Sequence, residues 1–196
     1  MRLFVALWPP AEVVEHLRAA VQEAADRVEA PSGLRWVEAG QLHLTVAFLG
    51  EADPPHRAQI EARLARVCGR YPPLTLALAG AGRFGERILF VKVAGDREQL
   101  GRLAMSVSAA ARRAGLTMED RPWRAHITLA RTRQGDAGLR ELARALDGYR
   151  GDPWTAGELH LVRSRLGAGE DRGSSYETVA RWTLTGRRPD LDQLAR

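Results

Sequence analysis

Along this chain of 196 residues one order of predicted elements occurs twice: helix, histidine-bearing strand, helix, strand, strand. Val13, Val14, Leu17, Val21, Ala24, Ala25 and Val28 recur at helical spacing after Pro9-Pro10, which predicts a helix to about Glu29. Leu42–Leu49 reads as a strand, and Asp53-Pro54-Pro55 opens a helix to about Cys68 with Ile60, Leu64 and Val67 on one face. Leu74–Ala81 and Arg87–Ala94 follow as strands around the glycine-bearing turn Gly82–Gly85. The order then restarts. Asp96 opens a helix to about Ala114, Ala125–Thr132 is a strand, and Asp136–Leu146 is a helix. Trp154–Ser164 and Tyr176–Thr185 form the last strand pair. A leading apolar strand starts at a similar distance before each histidine, Arg2 before His43 and Arg87 before His126.

Such an internal duplication predicts an α+β fold: two lobes about a pseudo-twofold axis, with antiparallel sheets lining a central cleft and helices outside. We expect one bilobal domain of two intertwined repeats over residues 1–185, and a polar tail over 186–196. The alternative is a single α/β sandwich in which the repetition is coincidental. A chain of this length buries roughly 70% of its unfolded surface, so its stability needs neither disulfides nor metals.

The two strands at the centre of the repeats carry His43-Leu44-Thr45-Val46 and His126-Ile127-Thr128-Leu129. Side chains of a strand alternate faces, so His43 and Thr45 share one face while Leu44 and Val46 enter the core. His126 and Thr128 follow the same rule. Two such matches among five histidines arise by chance roughly once in a thousand chains, less rarely once strand composition is allowed for. Two half-buried structural histidines are the competing reading. The functional one has a chemical basis. Opening a cyclic phosphodiester requires one group to take a proton from water and another to give one to the leaving sugar oxygen. Imidazole, with an ordinary pKa near 6.5, does either at neutral pH. One imidazole on each side of phosphorus suits in-line displacement, and threonine hydroxyls can donate to the non-bridging oxygens.

Composition narrows the alternatives. The formal charge is +5, and Lys92 is the only lysine, so the basic side is almost entirely arginine. Arginine suits phosphate through its planar fork, but an Arg-rich composition also arises from codon usage. A lone cysteine, Cys68, excludes an internal disulfide and multi-cysteine zinc sites. HExxH and P-loop patterns are absent, and the spaced glycines of Gly80-Ala81-Gly82-Arg83-Phe84-Gly85 read as a hairpin turn rather than a nucleotide-binding loop, so neither a metal nor another cofactor is expected. The apolar run Leu3–Trp8 is too short for a signal segment, and no stretch reaches the roughly 20 apolar residues that span a bilayer. A cytoplasmic protein without membrane contact is expected.

With these residues in view, the chain resembles the two-histidine phosphoesterase superfamily. Arg2-Leu3-Phe4-Val5-Ala6-Leu7, His43 through Gly50, and His126-Ile127-Thr128-Leu129-Ala130-Arg131 are similar to its RNA 2′,3′-cyclic phosphodiesterase branch, whose members are also called 2′-5′ RNA ligases. Ser164-Arg165-Leu166 and Tyr176-Glu177 resemble the closing segment of that branch, with the Gly167–Ser175 loop between them unassigned. The resemblance implies a bilobal, metal-independent monomer that opens the 2′,3′-cyclic phosphate of an RNA end to a 2′-phosphate. It further implies that His43 donates and His126 accepts a proton, an order the residues themselves leave open.

Thr45, Thr128 and Arg131 are the candidate phosphate-binding residues; Phe48 and Tyr176 are the candidates for stacking on a base. Ideal alternation turns Arg131 and Phe48, each five positions after a histidine, away from the cleft. For Phe48 that parity favours a core role over stacking. Trp36, Trp123 and Tyr176 could each stack on a nucleobase but read more readily as packing residues, and His16, His56 and His160 as surface or structural ones. Three other functions remain open: reversible 2′-5′ ligation, cyclic phosphodiesterase activity on a small nucleotide or ADP-ribose derivative, and RNA binding without catalysis.

Overall fold

The computed structural model describes residues 1–28, 33–118, 122–132, 138–165, 167 and 174–187. Its elements are β1 (Arg2–Leu7), α1 (Ala11–Asp26), β2 (Arg35–Trp36), β3 (Leu44–Glu51), α2 (Pro54–Cys68), β4 (Leu74–Phe84) and β5 (Ile88–Gly95). They continue with α3 (Arg97–Arg113), β6 (His126–Arg131), α4 (Gly138–Ala145), β7 (Trp154–Ala156), β8 (Glu158–Arg165) and β9 (Ser175–Thr183). The expected helix boundaries at Glu29 and Asp136, and most of the Gly167–Ser175 loop, lie outside the described residues.

The strands form one antiparallel sheet in the order β7-β4-β5-β6-β3-β1-β8-β9, with β2 beside β6. Two wings, β3-β1-β8-β9 and β6-β5-β4-β7, meet at a single residue pair, Leu44 with Ile127. Those residues directly follow the two histidines, so the pseudo-twofold relation passes beside the motifs. The wings exchange chain: β4, after α2, joins β5 in the second wing, and β8 and β9, after α4, return to β1 in the first. This is the α+β architecture expected, with the two sheets fused into one.

One face of the sheet carries the helices. Leu3, Val5, Leu7, Leu44, Val46, Leu76, Leu89, Val91, Ile127 and Leu161 pack with Leu17, Ile60, Leu64, Leu103, Val107 and Leu142 of α1 to α4 in one buried core. Among the described residues the opposite face carries no helix. A smaller cluster of Phe4, Ala6 and Val162, flanked by Trp8 and Tyr176, lies there. Strand β1 is thus buried on both faces, which explains why Leu3–Leu7 shows no alternation of apolar and polar residues. At the start of α2, Asp53 caps the helix by accepting the His56 N–H at 2.9 Å, with Pro54 and Pro55 in the first turn.

Three sequence expectations need correction. Trp154–Ser164 is not one strand: it breaks at Gly157 into β7, paired with β4, and β8, paired with β1. These strands lie near opposite ends of the strand order, where neighbours are about 4.8 Å apart. A one-residue link cannot span a flat sheet of that width, so the sheet curls until the two strands approach. Second, Gly82 is not in the turn. It lies within β4 beneath Phe90, whose ring would sit 2.6 Å from an added Cβ, and Gly85, at φ 56°, serves the turn instead. Third, the expected tail starts tied down, because the Gly186 N–H donates to the Tyr71 carbonyl at 2.8 Å. Residues 188–196 lie outside the described residues. Among the described residues no helix is long and apolar enough to cross a membrane.

Candidate active site

The helix-free face brings both histidine motifs together at the seam of the wings. Register places Thr45 opposite Ala6 and Thr128 opposite Phe90, so both threonines and both histidines share that face. Each imidazole is anchored identically. The His43 Nδ1–H donates to the Gln41 carbonyl at 2.7 Å, and the His126 Nδ1–H donates to the Arg124 carbonyl at 2.7 Å. A carbonyl oxygen only accepts, so Nδ1 holds the proton in both rings and Nε2 is the atom left for chemistry.

The surroundings of the two rings differ. His43 lies among Phe4, Trp8 and Tyr176, with ring centroids 4.9, 5.1 and 5.2 Å away. Phe84 and Phe90 approach His126 at 4.9 and 5.3 Å. Burial pushes the His43 pKa down to about 4; the Gln41 hydrogen bond opposes this, and the charges of Arg131 and His126 add to it. His126 is lowered as well, first by burial, against the Arg124 hydrogen bond and with help from Arg131. The Arg131 charge is therefore felt at both imidazoles.

How Arg131 reaches this face is decided by a β-bulge. Strand β6 pairs Thr128 with Phe90 and Ala130 with Leu89, stepping over Leu129. Strand β3 steps over Val46 in the same way, between the pairs Thr45–Ala6 and Ala47–Val5. Each bulge falls three residues after a histidine and buries two consecutive side chains, Val46 with Ala47 and Leu129 with Ala130. Side-chain phase is reset beyond it, so Phe48 and Arg131 emerge exposed on the histidine face. Strand β2 supports the second bulge, the Val37 N–H donating to the Leu129 carbonyl at 2.8 Å. The core role favoured for Phe48 is thereby overturned. It is 59% exposed, with its ring 6.3 Å from that of Phe4.

Tyr176, half-buried on β9, stands edge-on to Phe4 and His43, within this same face. Trp123 bridges the wings: its indole N–H donates to the Thr45 carbonyl at 3.1 Å. Trp36 is 43% exposed on β2, opposite Ala130 of β6. His16 meets the Tyr149 hydroxyl and His56 meets Asp53, as befits surface histidines. His160 sits in the histidine face opposite Ala6, and its buried Nδ1 has no hydrogen-bond partner among the described residues. No motif in the sequence marks it. Among the described residues no three His, Cys, Asp or Glu side chains are grouped to hold a metal ion.

The 2′-5′ RNA ligase superfamily model matches residues 9–168. A Geobacillus stearothermophilus protein named RNA 2′,3′-cyclic phosphodiesterase is 33% identical over 155 residues, 77% of this chain, which spans only 48% of that relative. Proteins of the same name from Thermus thermophilus and Escherichia coli are each 31% identical, over 95% and 94% of this chain and 91% and 97% of their own lengths. A crystal structure from Thermus thermophilus aligns with a TM-score of 0.74 and 28% identity, covering 96% of this chain and all of that one (100%). The structure of E. coli LigT complexed with 3′-AMP aligns with a TM-score of 0.69 and 26% identity, over 94% of this chain and 97% of that one. On sequence and fold together, the chain belongs to the 2′-5′ RNA ligase superfamily.

Proposed function

We propose that this protein is a metal-independent phosphodiesterase that hydrolyses the 2′,3′-cyclic phosphate at an RNA 3′ end. The observation that carries the reading is the matched pair of imidazoles, each with Nδ1 spent on a backbone carbonyl and Nε2 left over, on one face under the influence of one arginine. The relatives named RNA 2′,3′-cyclic phosphodiesterase support the substrate. In this mechanism the cyclic phosphate lies between the two Nε2 atoms. His126 takes a proton from the attacking water, and His43 returns one to the departing 3′-oxygen, leaving a 2′-phosphomonoester. The Thr45 and Thr128 hydroxyls and the Arg131 guanidinium neutralise charge on the non-bridging oxygens. Phe48 and Tyr176 offer aromatic surface to the terminal base.

Resting electrostatics alone would not choose His43 as the donor, since it is held neutral at pH 7. A phosphate anion between the rings favours their charged forms, so the donor becomes available as substrate binds. Ligation is the same ring opening with a 5′-hydroxyl in place of water: its oxygen bonds to phosphorus, the 3′-oxygen departs, and the same two groups take and return the proton. The test is turnover of an oligoribonucleotide ending in 2′,3′-cyclic phosphate with EDTA present, with the position of the product phosphate determined. A 2′-phosphomonoester is expected. Tight binding without any turnover would make the protein an RNA-binding module instead.

A further inference from the structure

The two wings can be compared position by position, because both bulges fall at the same place relative to the histidines. Phe48 and Arg131 are equivalent, each five residues after its histidine on the same side of its bulge. Lys92 is equivalent to Trp8. Lys92 pairs directly with His126, one step beyond Val91 with Ile127; Trp8 comes one step beyond Leu7 with Leu44, its ring 5.1 Å from His43. The positions flanking His43 are thus aromatic, Trp8 and Phe48, whereas those flanking His126 are cationic, Lys92 and Arg131. The chain has one lysine, and by register it stands directly opposite His126.

We propose that Lys92 binds the phosphodiester on the 5′ side of the terminal nucleotide, so that the His126 wing carries the RNA backbone while the His43 wing carries the terminal base. This inference rests on the RNA reading above and adds a second anion site to it. The Lys92 ammonium points outward, toward Asp147 at 3.4 Å and past Gly80, rather than into the histidine pair. Arg131 perturbs both imidazoles, and Lys92 is not among the charges that shift either. Two cations on one wing therefore serve different places: Arg131 the reacting phosphate, Lys92 a neighbouring one. Its pairing with Asp147 does not prevent this, since both side chains are more than half exposed, at 52% and 72%, and such pairs are weak. A mononucleotide 2′,3′-cyclic phosphate has no such second phosphate, so the site distinguishes RNA ends from small cyclic nucleotides.

The experiment compares kcat/KM on a ribotrinucleotide and on cytidine, both ending in 2′,3′-cyclic phosphate, for wild type, Lys92→Ala and Lys92→Arg. Lys92→Ala should shrink the advantage of the trinucleotide over the mononucleotide by about fivefold to tenfold. It should also lower the salt slope for the trinucleotide by about 0.7, the value for one lost phosphate contact on a single strand. Lys92→Arg should restore most of both. An unaltered advantage and slope, or an arginine variant as impaired as the alanine one, would overturn the assignment. Anisotropy of a labelled trinucleotide bearing a 2′-phosphate reads the same slope without turnover. Lysine-dependent binding by a wild type that hydrolyses neither substrate would keep the Lys92 site and reject the hydrolase reading.

Discussion

A histidine whose Nδ1–H is committed to the carbonyl two residues earlier has only Nε2 for proton transfer, and its orientation is set by its own strand. His43 and His126 are both built that way, from strands whose preceding loops return a carbonyl to the ring. Burial and Arg131 hold both pKa values below 6.5, that of His43 at about 4. Bound phosphate acts in the opposite direction, because an anion beside an imidazole stabilises its protonated form. The pH dependence follows with a definite sign. The bell for kcat/KM, which reports the free enzyme, should be centred on the acid side of 6.5, and the bell for kcat, which reports the complex, should be displaced to higher pH. Coincident optima, or a kcat/KM optimum above pH 7, would contradict this. The histidines and threonines were legible in the sequence because the x-positions between them obey strict alternation. Phe48 and Arg131 were named as candidates, but the face they occupy was not legible, since a bulge inserts one residue that no residue type announces, and parity counted across it inverts.

Elements place the second layer of the site. The ring of Phe90 on β5 lies between Gly82 of β4 and His126 of β6, and a glycine at 82 is what lets it lie flat there. A methyl group at that position would meet the ring at 2.6 Å and drive it toward the imidazole. Gly82→Ala should therefore cost about 1–3 kcal/mol in urea denaturation and lower turnover, whereas wild-type stability would mean that Phe90 is not held by this contact. Sequence patterns found the helices well, because α1, α2 and α3 each show an apolar stripe with a proline or aspartate at its start. They failed at Trp154–Ser164. Both pieces of that run are apolar strand sequence, and only the curl of the sheet decides that one residue, Gly157, carries the chain from one wing to the other.

At the scale of the whole molecule, the proposed catalysis depends on how two wings meet. Their strands share one residue pair, Leu44 with Ile127, and the indole of Trp123 adds a hydrogen bond to the Thr45 carbonyl beside it. Exchange of β4 and of β8 with β9 between the wings makes the seam part of a continuous core rather than a hinge between independent units. The repeated order of elements suggested two intertwined repeats; which strands cross between the wings was not readable, because pairing partners far apart in sequence leave no local signature. The mechanism requires both wings to supply a proton-transferring group to one reaction. Single-turnover rates on a cyclic-phosphate oligoribonucleotide, for wild type, His43→Ala, His126→Ala and the double variant, test it most directly. Each single substitution should cost about 10²- to 10⁴-fold, with the double variant falling far short of the product of the two losses. A single variant that retains the wild-type rate would contradict it.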